Sequence, residues 1–201
     1  STVSRIFQEA GVPVICADEL AREAVQPGAA ALEKIRREFG AGVIDAEGGL
    51  DRVRMAEVVF QDCSKREALE NIIHPEVAAQ KDRRIEQLTR SGYSLAIVDV
   101  PLLYEKGWEG QFDLVIVVHV PRAIQERRLV ERDHMSPDEA RSRLDAQMPI
   151  DDKKARAHSV IDNSGSPERT REQVTRLLGE LRDLAKAKDC ASCQGSVAKR
   201  A

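Results

Sequence analysis

The sequence predicts an α/β fold in which parallel strands alternate with helices. Four short apolar runs rich in Val and Ile are continuous rather than alternating, which is typical of parallel strands buried on both faces. Apolar residues at helical spacing separate these runs, as the crossovers of a parallel sheet require. The connection formed by residues 17–90 is too long for an ordinary crossover, so it predicts an inserted helical lobe.

The first elements are a helix and a strand. Apolar residues recur on one face of residues 1–10, and Gly11 ends the helix they predict. A strand or loop usually feeds such a core helix, so we expect a segment to precede Ser1. The first strand is predicted at residues 12–16, where Pro13 must occupy the start of the strand or an unpaired position.

The inserted lobe is predicted to be entirely helical. A Gly-rich turn at residues 45–49 interrupts the helical pattern. Pro75 is expected to kink or to begin a helix, because proline lacks a backbone N–H. The helices of this lobe are predicted at residues 17–26, 29–39, 52–60 and 64–89.

The second half of the chain holds the remaining strands and a basic flap. Residues 122–156 contain many Arg and Lys and few large apolar side chains, which is typical of a mobile helical flap. Within it Ser136 begins a helix, because it is followed by Pro at the first position and Glu at the third. Strands are predicted at residues 95–100, 114–120 and 159–161, helices at 121–132 and 167–187, and a polar, frayed tail at 189–201.

Composition excludes several classes of protein. The 201 residues carry 31 Lys and Arg against 34 Asp and Glu, a formal net charge of −3, which argues against a nucleic-acid binder. No apolar run approaches the roughly 20 residues of a membrane span, so no membrane partner is expected. Four scattered cysteines indicate a reducing cytosol. We interpret the single CxxC at Cys190 and Cys193 as incidental, because zinc would need two further ligands.

Two carboxylates follow predicted strands. Because ligands bind at the carboxyl ends of parallel strands, Asp18 is placed to accept a proton from a substrate hydroxyl. Asp18 is equally a good N-cap for the helix that follows, and both roles are open. Asp99 ends the second strand and either holds a metal through water or caps a turn.

Arginines cluster in the basic flap. Arg128 and Arg132 lie four residues apart and therefore share a helix face. Guanidinium groups neutralise the charge that develops during phosphate transfer. The alternative is a solvent-exposed charged face of the helix that also contains Glu126 and Glu131.

Eight short stretches in fixed order carry the most specific signal in the chain. They are STV (residues 1–3), CADELAR (16–22), VQPG (25–28), FG (39–40), IHP (73–75), VPLLYE (100–105), RLVERD (128–133) and IDNSG (161–165). They follow one another in order along the chain, and through them the whole of residues 1–188 resembles the dephospho-CoA kinase family. The resemblance implies a parallel-sheet P-loop kinase core with an inserted helical substrate lobe and a helical lid. It also implies use of ATP and Mg²⁺ to phosphorylate the 3′-hydroxyl of dephospho-CoA, the last step of coenzyme A synthesis.

The resemblance implies roles for individual residues. Asp18 matches the acidic residue proposed as base toward the ribose hydroxyl, and Arg128 and Arg132 match lid arginines near the phosphates. On the nucleotide side the implied residues are Ser1 as the magnesium ligand, Thr2 beside it, and Asn163 and Gly165 in the loop next to adenine. On the substrate side they are Arg22, His74, Pro75, Pro101 and Leu102.

The resemblance also implies a division into lobes. Residues 1–16 and 91–188 match the nucleotide-binding core, with a lid at about 126–157. Residues 17–90 match the CoA-binding lobe, and residues 189–201 are left as a flexible tail.

Two departures from the family pattern bear on activity. Cys16 stands where the family usually has a second acidic residue, and no G-x-x-x-x-G-K occurs in the 201 residues. Backbone N–H groups and the lysine of that loop cradle the phosphates. We therefore expect a dephospho-CoA kinase whose central first strand is absent from this chain, and negligible phosphate transfer by this truncated form. The alternatives are a non-catalytic CoA-ligand-binding remnant or fusion-partner domain, and a related P-loop small-molecule kinase.

Overall fold

Two pairs of parallel strands organise the computed structural model, which describes residues 2–197. β1 (Val14–Cys16) pairs with β2 (Ile97–Asp99) so that Cys16 lies opposite Asp99. β3 (Ile116–His119) pairs with β4 (Ser159–Asp162) so that His119 lies opposite Asp162. The predicted α/β class with parallel strands is confirmed, and Pro13 lies outside the pairing as its missing N–H requires.

The chain divides into two compact units. One unit is Val14–Val100, and the other joins the residues up to Pro13 with those from Pro101 onward. β1 and β2 belong to the first unit, and β3 and β4 to the second. The predicted assignment of residues 1–16 and 91–188 to a nucleotide core and of 17–90 to a substrate lobe stays a prediction.

Helices build the Val14–Val100 unit around an apolar core of Val25, Leu32, Ile35, Val43 and Met55. Asp51 and Asp62 begin two of these helices, because each carboxylate accepts two backbone N–H bonds. The helices are α2 (Ala17–Glu23), α3 (Ala30–Phe39), α4 (Arg52–Gln61) and α5 (Cys63–Arg90).

Two helix predictions in this unit are corrected. α2 ends at Glu23, three residues before the predicted end, and the chain then turns toward Gly28, whose φ is +84°. α5 runs through Pro75, which therefore does not begin a helix. The neighbouring Ile73 and Val77 pack against the core and offset the lost backbone hydrogen bond.

The other unit places its helices around β3 and β4. Its core includes Phe7, Ile161 and Val174, each at most 1% exposed. Ser136 and Glu139 form the predicted capping box at the start of the second flap helix. The helices are α1 (Thr2–Glu9), α6 (Arg122–Asp133), α7 (Pro137–Asp145), α8 (Ile150–Arg156) and α9 (Pro167–Val197).

Three further predictions concern the burial of the strands, the C-terminal tail and membrane spans. Val118 and Val160 are 36% and 39% exposed, so the prediction of strands buried on both faces is wrong at these positions. The reason is that each sheet has only two strands in the described residues, which leaves part of the strand surface uncovered. α9 continues past residue 187, and residues 198–201 of the expected tail lie outside the described residues. Among the described helices, none combines the length and apolar character needed to cross a bilayer.

Candidate functional site

The carboxyl end of the β1–β2 pair positions Asp18. α2 begins at Ala17, directly after β1, and Cys16 is its N-cap without a side-chain hydrogen bond. Asp18 is therefore in the first turn, and the interpretation of Asp18 as an N-cap is wrong. The helix begins two residues earlier than that interpretation requires, because Ala17 and Asp18 are already helical and Cys16 is the N-cap. An exposed carboxylate in a first turn is stabilised by the positive end of the helix dipole.

α2 and α5 carry the other predicted residues of this unit. Leu20 of α2 packs with Val77 of α5, which holds the two helices together. Arg22 lies four residues after Asp18 on the same face of α2, and both are exposed. Within the described residues, neither the Asp18 carboxylate nor the Arg22 guanidinium has a hydrogen bond or an ion pair. Both charges are therefore available to a ligand.

The α5 segment beside this packing contains the predicted His74 and Pro75. His74 is half-buried and has a polar or electrostatic partner, and Pro75 is exposed. Both lie between Ile73 and Val77, which pack in the apolar cluster that includes Leu20. The structure thus brings the helices of these substrate-side candidates together within the Val14–Val100 unit.

The carboxyl end of the β3–β4 pair positions Asn163 and Arg128. The Asn163 N–H donates to the His119 carbonyl at 2.9 Å, which continues the strand pairing one step beyond β4. Arg128 of α6 donates from its guanidinium to the Asn163 carbonyl at 2.9 Å. Two residues predicted to face the same nucleotide are therefore in direct contact.

The turn after β4, residues 162–166, is fixed by hydrogen bonds at nearly every residue. Gln173 of α9 accepts from the Asp162 N–H at 3.0 Å and donates to the Asp162 carbonyl at 2.8 Å. The Asp162 carboxylate accepts from the Ser164 hydroxyl at 2.6 Å and from its N–H at 2.9 Å. These bonds hold the pKa of Asp162 below its ordinary value, with the hydroxyl the largest cause.

Gly165 is exposed in the same turn. A Cβ built on it meets only the Cδ of the flexible Arg169 side chain, at 3.4 Å. The backbone there therefore does not demand glycine, and any requirement for Gly165 comes from a bound ligand.

Arg132 is in the last turn of α6, and its charge is already engaged in an ion pair. Its guanidinium donates to both carboxylate oxygens of the adjacent Asp133, at 2.6 and 2.8 Å, while its side chain stays 76% exposed. The hydrogen bonds raise the pKa of Arg132 and lower that of Asp133. Glu131 pairs with Arg127 at 3.8 Å, so the solvent-exposed charged face is present on α6 beside the predicted phosphate-binding arginines.

The turn of residues 101–107 holds the predicted Pro101 and Leu102 on the surface, where Leu102 is 39% exposed. Glu105 anchors this turn to the flap: its carboxylate accepts from Lys153 of α8 at 2.7 Å and from the Met148 N–H at 3.0 Å. Burial acts to raise the pKa of Glu105, but the bonds from Lys153 and backbone N–H groups outweigh it and hold the pKa below its ordinary value.

A second contact joins the same turn to α8. The Arg156 guanidinium lies 4.6 Å from the centroid of the Tyr104 ring and pairs with Glu109. Burial raises the pKa of the Tyr104 phenol, although the charge of Arg156 opposes it. Three buried atoms of this cluster have no partner within the described residues: the Tyr104 hydroxyl, Glu105 Oε2 and Glu109 Oε2.

The predicted magnesium ligand is the first residue of the chain. Thr2 is exposed at the start of α1, and Ser1 lies outside the described residues, so its role as ligand stays a prediction. The part of the chain that is described holds no cluster of three acidic, His or Cys side chains suited to a metal.

Several residues that shape the site were not expected from the sequence. Thr170 and Gln173 bond to the turn that precedes α9, whereas Lys153 and Arg156 pair with carboxylates that are distant in the chain. For Thr170 a signal exists, because it is the polar member of a stripe that continues through Val174 and Leu178 on α9. For Lys153 and Arg156, which are two of many cations in the flap, we find no such signal.

A family model and curated relatives that match this chain are all described as dephospho-CoA kinases. The family model described as dephospho-CoA kinase matches residues 1–168. A dephospho-CoA kinase of Symbiobacterium thermophilum is 47% identical over 87% of this chain and 73% of its own length. A dephospho-CoA kinase of Bacillus licheniformis is 42% identical over 92% of each chain.

Solved structures agree with these sequence matches. A crystal structure of a Thermus thermophilus protein superposes with a TM-score of 0.74 at 35% identity, covering 90% of each chain. A dephospho-CoA kinase from Campylobacter jejuni superposes with a TM-score of 0.68 at 29% identity, also over 90% of each chain.

Proposed function

The chain belongs to the dephospho-CoA kinase family of phosphotransferases in coenzyme A synthesis, and on that premise we propose that its residues serve ATP-dependent phosphorylation of the 3′-hydroxyl of dephospho-CoA. The observation that carries the proposal is the free, exposed carboxylate of Asp18 at the carboxyl end of β1. A carboxylate there can take up the hydroxyl proton without first breaking an ion pair. We also propose that the enzyme is cytoplasmic, because its four scattered cysteines are typical of a reducing compartment.

In the proposed reaction Asp18 accepts the proton of the ribose 3′-hydroxyl as that oxygen attacks the γ-phosphorus of ATP. A P–O bond to the 3′-oxygen forms, the bond from the γ-phosphorus to the bridging oxygen breaks, and ADP leaves with that electron pair. Mg²⁺ bound to the phosphates would neutralise part of their charge, with Ser1 as its proposed protein ligand. Arg128 and Arg132 are proposed to neutralise the equatorial oxygens.

On the nucleotide side, Asn163 and Gly165 are proposed to border the adenine, and Thr2 the phosphates. The Arg128 bond to the Asn163 carbonyl supports this assignment, because it links a proposed phosphate ligand to a proposed base ligand. To bind phosphate, the Arg132 guanidinium must give up its ion pair with Asp133. Phosphate oxygens can replace that carboxylate because the phosphate groups of ATP carry more negative charge.

On the substrate side, Arg22, His74 and Pro75 are proposed to bind dephospho-CoA, and Pro101 and Leu102 are the further residues that the family resemblance assigns to this substrate. The guanidinium of Arg22 has no partner in the described residues and suits the diphosphate of the substrate. Leu102 offers exposed apolar surface on a turn that Glu105 fixes to α8.

We propose low turnover for the chain as it stands, because its 201 residues contain no G-x-x-x-x-G-K sequence to cradle the phosphates. A coupled assay of ADP release tests this on the chain itself and on a form extended before Ser1 by a strand and such a loop. We expect transfer to dephospho-CoA by the extended form and little by the shorter one. Normal turnover by the shorter form would overturn the second expectation, and an inactive extended form would overturn the proposed function.

A non-catalytic binder of CoA ligands is the second candidate, and the same missing loop sequence favours it. Calorimetry separates the two. Binding of dephospho-CoA without ATP by both forms would favour the binder, whereas binding of both ligands by the extended form supports the kinase.

A further inference from the structure

Thr170 is a fully buried polar residue on the apolar face of α9. Its side chain is 0% exposed among core residues such as Val174 and Ile161. A hydroxyl in such surroundings costs free energy unless it is hydrogen-bonded. Its Oγ1 lies 3.1 Å from Asn163 Oδ1 and 3.3 Å from the Ser166 carbonyl. The closer partner is the side-chain amide of the turn after β4.

A helical threonine does not need such a partner. Thr175, one turn further along α9, bonds only the Arg171 carbonyl four residues back, at 2.9 Å. Thr170 has a single hydroxyl proton, for which the Ser166 carbonyl and the Asn163 Oδ1 compete, and the shorter distance favours Asn163.

Asn163 is consequently held at three of its polar groups. Its N–H donates to the His119 carbonyl, its carbonyl accepts from Arg128, and its Oδ1 accepts from Thr170. The backbone bonds fix where the side chain leaves the turn, and the Thr170 bond fixes the rotation of the amide. The group that remains for a ligand is the Nδ2 amine, which can only donate.

We propose that Thr170 is a positioning residue for nucleotide recognition: it orients the Asn163 amide so that Nδ2 donates to an acceptor nitrogen of a purine base. The inference rests on the proposed function, which puts Asn163 beside the nucleotide. It adds two points to that function: Thr170 sets the orientation of the Asn163 amide, and the atom of the base that Asn163 recognises is a hydrogen-bond acceptor. Preorganisation of this kind strengthens binding, because the amide loses no rotational freedom when the base arrives.

Selective ¹⁵N labelling of asparagine tests the proposal directly. The chain contains two asparagines, Asn163 and the exposed Asn71 of α5, so the spectrum holds one signal pair of interest and one internal control. Titration with ATP is expected to shift the Asn163 side-chain amide pair and to leave that of Asn71 in place. NMR detects millimolar binding, so the chain can be used as it stands.

The variants separate positioning from packing. Thr170→Val keeps the volume and removes the hydroxyl, so we expect the dissociation constant for ATP to rise about five- to tenfold, as the loss of one hydrogen bond predicts. The dissociation constant for dephospho-CoA should not change. Thr170→Ser restores the hydroxyl and should restore ATP binding, and Thr175→Val, which removes an ordinary helical hydroxyl, should leave both constants unchanged.

The outcomes distinguish the inference from the function on which it rests. If ATP shifts neither asparagine pair, or if Asn163→Ala binds ATP as tightly as the parent chain, the proposed nucleotide role of Asn163 fails. If Asn163→Ala weakens ATP binding but Thr170→Val does not, only the positioning role is overturned. Should Thr170→Val fail to fold, Thr170→Ser against Thr170→Ala makes the same comparison. Equal losses for ATP and dephospho-CoA would indicate a purely structural threonine and would also overturn the proposal.

Discussion

The turn after β4 and the turn of residues 101–107 satisfy their buried polar groups in different ways. In the first, Asn163 and Asp162 share hydrogen bonds with Thr170 and Gln173, and no buried side-chain polar atom in the described turn lacks a partner. In the second, ion pairs to α8 are strong, yet the Tyr104 hydroxyl and one oxygen of Glu105 are buried without partners.

This difference shows that one unit combines a rigid turn, the one after β4, with a more adjustable turn at residues 101–107. A turn whose buried side-chain polar atoms all have partners presents a fixed surface, which suits recognition of a base. A turn with unpartnered buried atoms has capacity for ordered water or a change in pairing. We therefore expect the turn of residues 101–107 to respond more strongly to loss of a single partner.

Loss of Lys153 should have the largest effect on stability. Lys153→Met leaves the carboxylate of Glu105, whose side chain is 17% exposed, without its cation. Removing one partner of a largely buried pair typically costs about 3 kcal/mol. Urea unfolding measures the change, and Lys186→Met on α9 is the control, because the Lys186–Asp183 pair is mostly exposed. Equal effects of the two substitutions would show that burial does not decide the strength of the Glu105 pair.

A pair of glycine substitutions compares the two turns at the backbone. Gly107 has a φ of +65°, so Gly107→Ala should destabilise by about 1 kcal/mol. Gly165→Ala meets only a flexible side chain and should change stability by less than about 0.5 kcal/mol. Thermal unfolding measures both. A larger loss for Gly165→Ala would contradict the account of its turn, whereas a selective loss of ATP binding would support its nucleotide role.

The smallest effect is a pH dependence in the turn after β4. The pKa of Asp162 is lowered by its bonds to Ser164, so this carboxylate contributes stability above its unfolded pKa, and that stability is lost as pH falls through the folded pKa. Ser164→Ala removes the hydroxyl bond, so the pKa of Asp162 should rise toward its ordinary value of 3.8. ¹³C NMR of the Asp162 carboxyl over about pH 5 to 2 measures the change. An unchanged titration would mean that the backbone bond alone sets the pKa.

The sequence predicts the local features of this molecule well. Val- and Ile-rich runs predict all four strands of the described residues, and Ser136 with Glu139 predicts a capping box, because these signals depend on neighbouring residues only. The interpretation of Asp18 as an N-cap is wrong by two residues, because α2 follows β1 without a linker and Cys16 ends the strand and caps the helix.

Contacts between distant segments could not be predicted from the sequence. Glu105 meets Lys153, and Arg128 meets Asn163, 35 residues away in the chain. The flap offers many cations of similar local context, and only the packing of α6 and α8 selects which of them is used. The resemblance to a family supplied Arg128 and Asn163 as site residues, but their mutual hydrogen bond comes from the fold.

The most direct test of the account is the effect of Asp18→Asn on phosphate transfer to the 3′-hydroxyl of dephospho-CoA, followed by ³¹P NMR of the product in the loop-extended form. Loss of a general base predicts a fall in kcat of about 100-fold or more with little change in KM for ATP. Glu19→Gln, which removes the neighbouring exposed carboxylate of the same helical turn, should leave kcat unchanged. Full turnover by Asp18→Asn, or an equal loss in Glu19→Gln, would contradict the role assigned to Asp18.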